Sequence, residues 1–175
     1  QSKHASIEGP SQVEQNTLGK LYCLGQMLKT EQLCRELLHK YPGSLFTINI
    51  LGASLQGQGK SQEAVEIYNQ AIQLKPDYAE AYNNRGNALR DLGQLENAVE
   101  SYNQAIQIKP DFAEAYRMFS VVKQYKPDDK QIVVMEDLCA NGNLSESDRM
   151  HISFALAKAY EDMERFDQAF DSLFK

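Results

Sequence analysis

Apolar and polar residues in the middle of the chain alternate with the spacing of amphipathic helices. Two runs follow the i, i+3, i+4, i+7 pattern of one helix face. The first run is Ile48, Leu51, Gly52 and Leu55, and the second is Ala64, Tyr68, Ala71 and Ile72. Gly57 and Gly59 lie between the runs, where a turn is needed, and Pro76 follows the second run, where a helix must stop. The pattern predicts a helical hairpin.

This hairpin pattern recurs along the chain with a fixed period. Pro42, Pro76 and Pro110 are 34 residues apart, and a glycine column with the same period consists of Gly25, Gly59 and Gly93. Residues 45–78 and 79–112 are the two best copies, and both contain the string Tyr-Asn-Gln-Ala-Ile-Gln. Because a period of this length is typical of stacked helical units, the sequence predicts an all-α solenoid of hairpins.

Small residues predict close packing within each hairpin. Gly52 and Gly86 lie in the first helices of the two copies, and Ala64 and Ala98 lie in the second helices. A glycine inside a helix costs roughly 1 kcal/mol relative to alanine. Its use in two successive helices therefore indicates that the helices approach each other closely there.

Composition and charge exclude several classes of function. Hydrophobic residues make up 42% of the chain and charged residues 24%, which is typical of a folded globular protein. The net charge of -6 argues against a nucleic-acid partner, because binding phosphates requires clustered Lys and Arg. No apolar run approaches the ~20 residues that span a bilayer, so we expect no membrane association and a cytoplasmic location. The chain begins with Gln1 rather than Met, which leaves open a removed targeting segment.

The sequence contains no residue pattern for catalysis or for a cofactor. The three cysteines and three histidines are scattered, without a Cys-x-x-Cys pair, so we expect neither a disulfide framework nor a metal site. The stretch ending at Gly59, Lys60 and Ser61 looks like a phosphate-binding loop, but Ser54 stands where that motif needs glycine. We therefore predict that this segment is not an enzyme and binds no cofactor.

The repeated residues resemble the tetratricopeptide repeat (TPR) family. The matching positions are Leu51, Gly52, Leu55, Ala64, Tyr68, Ala71 and Pro76 in the first copy, and Tyr82, Gly86, Leu89, Ala98, Tyr102, Ala105 and Pro110 in the second. Two positions depart from the family: Arg85, where Leu is usual, and Ile48, where an aromatic residue is common. The resemblance implies a right-handed α-solenoid of TPR hairpins with irregular C-terminal helices.

The resemblance divides the chain into seven segments. We expect a flexible N-terminal segment over 1–10, a degenerate TPR-like hairpin over 11–44, TPRs over 45–78 and 79–112, an in-phase TPR-like helix over 113–126, a connecting helix over 127–144, and a truncated TPR-like hairpin over 145–175. Ser11 with Glu14, and Ser145 with Asp148, have the spacing of capping boxes at the starts of two hairpins.

A stripe of polar residues runs beside the packing face of each first helix. In TPR proteins this stripe lines the concave groove, and the resemblance places there Asn49, Gln56, Asn83, Asn84, Asn87, Arg90, Arg117 and Gln124. Asn side chains offer a donor and an acceptor to a peptide main chain, and the two Arg residues would favour acidic segments. The prediction is a scaffold that binds a protein or an extended peptide. The alternative, that these Asn residues are only tolerated at the surface, stays open.

Two further functions follow from resemblance and from the repeat architecture. The stretch 125–162 resembles the junction in bacterial TPR proteins that carry a C-terminal sulfotransferase domain, which would make this segment a substrate-recognition region with catalysis beyond Lys175. The second alternative is self-assembly into a homo-oligomer through an exposed solenoid end or the hairpin at 18–41. A cochaperone role is disfavoured, because Glu114 and Met118 stand where the family's carboxylate clamp has Lys and Arg.

Overall fold

The computed structural model describes residues 9–141 and 143–174. In this part of the chain the structure has no strand and ten helices: α1 (Gln12–Cys23), α2 (Met27–Lys40), α3 (Leu45–Gly57), α4 (Ser61–Leu74), α5 (Ala79–Asp91), α6 (Leu95–Ile108), α7 (Ala113–Val122), α8 (Lys130–Asn141), α9 (Glu146–Asp162) and α10 (Phe166–Phe174). The predicted all-α class is confirmed. Most of the segment predicted to be flexible, residues 1–8, lies outside the described residues. Of the helices described, none combines the length and the apolar character needed to cross a membrane.

The helices form two compact units, of which the first ends at Leu92 and the second begins at Gly93. In the first unit each helix packs against the next from α1 to α5, and α3 also packs against α1 and α5. In the second unit α6 packs against α7, while α9 packs against α7, α8 and α10. The boundary between the units falls inside the predicted 79–112 repeat, between α5 and α6.

The turns between several consecutive helices have a left-handed residue at the same place. Gly25, Gly59 and Gly93 have φ angles of 70°, 76° and 73°, and in the turn from α9 to α10 Glu164 has a φ of 60°. Glycine adopts this conformation readily, whereas a residue with a Cβ is strained by about 1–2 kcal/mol. The glycine column therefore marks turn positions that need a positive φ. In the turn from α9 to α10 this conformation is adopted by Glu164, which is strained there.

Proline ends the second helix of two repeats by acting on the residue before it. Both α4 and α6 are followed directly by Lys-Pro. The two lysines, Lys75 and Lys109, have extended backbones with ψ angles of 92° and 90°. This is the conformation that a following proline imposes, since its ring disfavours a helical neighbour.

Close packing of α3 on α4 is confirmed at Gly52. A Cβ built on Gly52 would lie 2.6 Å from Cε1 and from Cζ of the buried Tyr68 ring.

Arg85, which departs from the family pattern, is also accommodated within the first unit. Arg85 Nη1 donates to Asn69 Oδ1 at 3.0 Å, and the guanidinium lies 5.1 Å from the ring centroid of Tyr82.

The predicted N-terminal caps of α1 and α9 are both present. Ser11 and Glu14 form the reciprocal capping box at the start of α1. At the start of α9, Ser145 Oγ accepts from the backbone N–H of Asp148 at 3.1 Å. In each cap the Ser side chain satisfies one of the N–H groups that a helix start leaves without an intrahelical partner.

The second unit departs from the 34-residue period after α7. The in-phase helix predicted over 113–126 stops at Val122, and the next residue has an extended backbone. The following segment bonds to carboxylates instead of continuing the helix. The backbone N–H of Tyr125 donates to Asp162 Oδ2 at 3.0 Å, and that of Lys126 donates to Asp129 Oδ2 at 2.7 Å.

Candidate functional site

The first unit brings most of the predicted stripe together between α3 and α5. The helices pack side by side, and the polar residues on their shared surface reach solvent. We call this surface the amide strip; its members are Asn49 and Gln56 on α3, and Asn84, Asn87, Arg90 and Asp91 on α5.

Two side-chain hydrogen bonds cross from α3 to α5 within the amide strip. Asn84 Nδ2 donates to Asn49 Oδ1 at 2.8 Å, and Gln56 Nε2 donates to Asp91 Oδ2. These bonds hold the side chains in place, which reduces the entropy lost when a ligand binds them. An Asn or Gln side chain has two N–H donors and one acceptor oxygen, so these bonds leave further hydrogen-bonding capacity.

Asn83 lies below the amide strip rather than in it. Its side chain is 1% exposed. Its Nδ2 reaches Asn84 Oδ1 only at 3.5 Å, and within the described part of the chain its Oδ1 has no hydrogen-bond partner. The structure thus corrects the prediction that Asn83 is a surface residue. The prediction assumed that α5 buries one face only. Because α5 packs against both α3 and α4, a wider part of its surface is buried, and Asn83 lies in that part.

Arg90 shares its charge with a neighbouring carboxylate. Its Nη2 lies 3.3 Å from Asp91 Oδ1. Asp91 was not among the predicted site residues, although it lies one helical turn after Asn87, and this i+4 spacing was the available signal. Because Asp91 neutralises part of the Arg90 charge, the acidic preference expected from Arg90 is weakened.

Arg117 and Gln124 belong to the second unit, and only Arg117 lies on a helix. Arg117 lies on α7, and its guanidinium carbon is 5.7 Å from the ring centroid of Phe154 on α9. Gln124 follows the end of α7, so the helical spacing that placed it beside Arg117 does not apply. Phe154 was not among the residues predicted to lie on a binding surface. Its i+4 spacing from Met150, another exposed apolar residue of α9, was the signal.

A cavity of about 470 Å³ lies between α8, α9 and α10 in the second unit. Its lining includes Cys139, Arg149, Ser153 and Tyr160, which are residue types that also occur in catalytic sites. Burial raises the pKa of the Cys139 thiol, and burial together with a hydrogen bond to Glu136 raises the pKa of Tyr160 to about 12. Both groups are therefore protonated at neutral pH, and neither is an activated nucleophile or base.

The cysteines behave as packing or surface residues. Cys23, Cys34 and Cys139 are unpaired thiols, and burial raises the pKa of Cys34 to about 12. Among the described residues, no group of three or more His, Cys, Asp or Glu side chains is placed to hold a metal ion.

The middle of the chain matches a known family of repeats. Residues 57–93 and 86–117 match a family model described as TPR repeat. This region therefore contains TPR repeats, as the repeated residues predicted. No curated protein sequence matches the chain.

Several solved structures have a similar fold at low sequence identity. A crystal structure of MamA is 21% identical with a TM-score of 0.64, and the match covers 90% of each chain. The first TPR of Spaghetti (RPAP3), bound to the HSP90 peptide SRMEEVD, is 22% identical with a TM-score of 0.61 over 67% of this chain and 95% of that one. A mutant of the Thermobaculum terrenum O-GlcNAc transferase is 21% identical with a TM-score of 0.63 over 78% of this chain and 26% of the enzyme. These likenesses show a shared helical repeat fold.

Proposed function

We propose that this protein is a non-catalytic scaffold that binds an extended segment of another protein on the amide strip. The observation that carries the proposal is the pair of side-chain hydrogen bonds from α3 to α5, which fix a row of amides on a partly exposed surface. The RPAP3 structure supports the proposal, because it shows a domain of similar fold bound to a peptide.

Fixed amides suit the main chain of an extended peptide. Each peptide residue except proline has one N–H donor and one C=O acceptor, and a primary amide can bond to either. Recognition by amides therefore depends little on the side chains of the ligand. Since α3 and α5 are already packed on α4, the entropic cost of binding falls mainly on the peptide.

The proposal is tested by selection from a random dodecapeptide display library, followed by affinity measurements on a synthetic copy of the most enriched peptide. Changing Asn87 and Arg90 together to Ala should weaken binding by about tenfold or more, because hydrogen bonds to amide and charged groups contribute ~1–3 kcal/mol.

A matched control changes two exposed glutamines of α4, Gln70 and Gln73, to Ala. This control should bind the peptide as the wild type does, and both variants should melt within about 4 °C of the wild type. Equal affinity of the wild type and the Asn87/Arg90 variant would move the binding surface away from the amide strip.

The two other functions and the cytoplasmic location stay predictions. The O-GlcNAc transferase match, in which this chain covers 26% of a longer enzyme, is an example of the fold as one part of an enzyme chain. A sulfotransferase sequence encoded after Lys175 would support the bacterial TPR-sulfotransferase alternative. Light scattering over a concentration series tests whether the protein forms a homo-oligomer.

A further inference from the structure

In the second unit a cation and an aromatic ring form a contact that is open to solvent. The guanidinium of Arg117 on α7 lies 5.7 Å from the ring centroid of Phe154 on α9, within the range of a cation–π interaction. The Phe154 side chain is 45% exposed. Stacking on a ring occupies one face of a guanidinium and leaves its N–H groups able to donate to a carboxylate.

Exposed apolar side chains flank this contact on both helices. Val121 lies one helical turn after Arg117 on α7 and is 54% exposed, and Met150 lies one turn before Phe154 on α9 and is 63% exposed. Residues four apart lie on the same face of a helix. The four side chains, Arg117, Val121, Met150 and Phe154, therefore share one surface, which we call the Arg117–Phe154 surface.

Charged side chains stand within one helical turn of Arg117 and of Phe154. Glu114 lies one turn before it on α7, and Lys158 lies one turn after Phe154 on α9, where it pairs with Asp162. In the described part of the chain Arg117 makes no ion pair with any carboxylate. This differs from Arg90 in the amide strip, which is paired with Asp91.

We propose that the Arg117–Phe154 surface binds a peptide segment in which an acidic side chain stands next to an aliphatic or aromatic one. The peptide carboxylate accepts hydrogen bonds from the Arg117 guanidinium, and the neighbouring apolar side chain packs on Phe154 between Met150 and Val121. The inference goes beyond the proposed function, because it adds a second peptide-binding surface in the other unit.

Charge complementarity favours an acidic peptide over the other anionic partners. A nucleic acid or an anionic lipid surface needs several clustered cations, whereas this surface offers one arginine on a chain with a net charge of -6. A single guanidinium beside an apolar surface instead matches one carboxylate beside one apolar side chain.

The test uses the same dodecapeptide library on the wild type and on three variants of the full chain. Arg117→Gln and Phe154→Ser should each weaken the most enriched acidic–apolar peptide by about tenfold, while Arg117→Lys should retain part of the affinity and its dependence on salt. A synthetic peptide with its acidic residue changed to the amide should bind the wild type and Arg117→Gln equally. Circular dichroism should show the same helix content in all variants.

The outcomes separate this inference from the proposed function. Enriched peptides that lack the acidic–apolar pair, or that bind Arg117→Gln as tightly as the wild type, overturn the inference. The proposed function survives if those peptides still lose affinity for the Asn87/Arg90 variant. Failure to enrich any peptide overturns both proposals. A wild-type dimer that Phe154→Ser converts to a monomer would instead make this surface an interface between two copies of the chain.

Discussion

Gly52 is the residue at which the packing of α3 on α4 leaves the least room for a side chain. A Cβ there would lie 2.6 Å from two ring carbons of Tyr68. Replacing Gly52 with Ala would add about 1 kcal/mol of helix propensity, but it would force the Tyr68 ring or the α4 backbone to move. Because overpacking of this kind typically costs ~1–3 kcal/mol, with the larger values where a rigid ring must shift, we expect a net loss of about 1–2 kcal/mol in urea unfolding.

Gly19 provides a matched control for Gly52. It also lies inside a helix, α1, but a Cβ built on it meets no atom within 4 Å. Gly19→Ala should therefore raise the free energy of unfolding by up to about 1 kcal/mol. If both substitutions changed stability in the same direction, close approach would not explain the choice of glycine at position 52.

Among the described residues, Glu164 is the one non-glycine residue with a positive φ, of 60°. Glu164→Gly would remove strain of about 1–2 kcal/mol and would lose ~0.4–1 kcal/mol through the greater freedom of the unfolded chain. We expect a net stabilisation of a few tenths to about 1 kcal/mol. Gly59→Ala at the equivalent turn should destabilise by a similar amount. Thermal unfolding followed by circular dichroism measures both, and a Glu164→Gly protein less stable than the wild type would contradict the argument.

Residue identity predicted the chemistry of the candidate site better than it predicted exposure. The repeat pattern placed Asn49 and Asn84 on the first helices of successive copies, and the structure joins them with a hydrogen bond, although the 34-residue period itself pairs Asn49 with Asn83. The burial of Asn83 was not predictable in the same way, because it depends on two helices that cover α5 from different sides.

At the scale of elements, α2 is tied to the turn between α3 and α4 by the carboxylate of Glu31. Its Oε2 accepts from Gln58 Nε2 at 2.9 Å and from Lys60 Nζ at 3.0 Å, and its Oε1 accepts from Arg35 Nη2 at 2.8 Å. The hydrogen bond from Gln58, with those from Lys60 and Arg35, lowers the pKa of Glu31 from 4.5 to about 2.

This network predicts a pH-dependent contribution to stability. The folded-state pKa of Glu31 is depressed, so its contribution is fully present above the ordinary value of 4.5 and is lost as the pH falls through about 2. Glu31→Gln should lower the free energy of unfolding by about 1 kcal/mol at neutral pH, because partly exposed ion pairs contribute modestly. In urea unfolding at a series of pH values, the difference from the wild type should shrink steadily below pH 4.5.

The control for this prediction is Glu66→Gln, which changes an exposed carboxylate on α4. Its effect on stability should stay within about 0.5 kcal/mol of zero at every pH. A Glu31→Gln deficit that stayed constant down to about pH 2 would mean that the hydrogen bonds, and not the charge, hold α2 to the turn.

Helices and their turns were predictable because their signals are local. Spacing of apolar residues, glycine at left-handed positions and Lys-Pro at helix ends all act within a few residues. The early end of α7 was not predictable, because the segment after it is held by a hydrogen bond from Tyr125 to a residue 37 positions further along, Asp162. The sequence shows that the period fails there, and only the fold shows what replaces it.

At the scale of the whole molecule, the division into units does not follow the repeat. The 34-residue pattern continues through Leu92 and Gly93, where the first unit ends and the second begins. A repeat pattern predicts how neighbouring helices pack. It does not predict which groups of helices make the most contacts with one another. Each unit has one of the two proposed binding surfaces, so substitutions can test the surfaces separately.

Asp162 provides a test of whether the two units respond separately to a local change. Its carboxylate accepts from the backbone N–H of the buried Tyr125 at 3.0 Å and from Lys158 Nζ, and both partners lie in the second unit. Asp162→Ala would leave the Tyr125 N–H unpaired at a cost of ~1–3 kcal/mol. Because stability in repeat proteins spreads through neighbouring contacts, hydrogen exchange should accelerate in α7, α8 and α9 and change little in α1, α2 and α3.

The matched control is Asp137→Ala, which removes an exposed carboxylate from α8 in the same unit and should leave exchange unaltered. Equal acceleration from α1 to α10 in the Asp162→Ala protein would show that the chain opens as one cooperative body, and its division into two compact units would then have no energetic meaning. No acceleration in α9 would show that the bond to Tyr125 is not what holds the segment after α7. Acceleration confined to the second unit would show that this unit opens while the first stays folded, so the amide strip would be kept intact when the Arg117–Phe154 surface is lost.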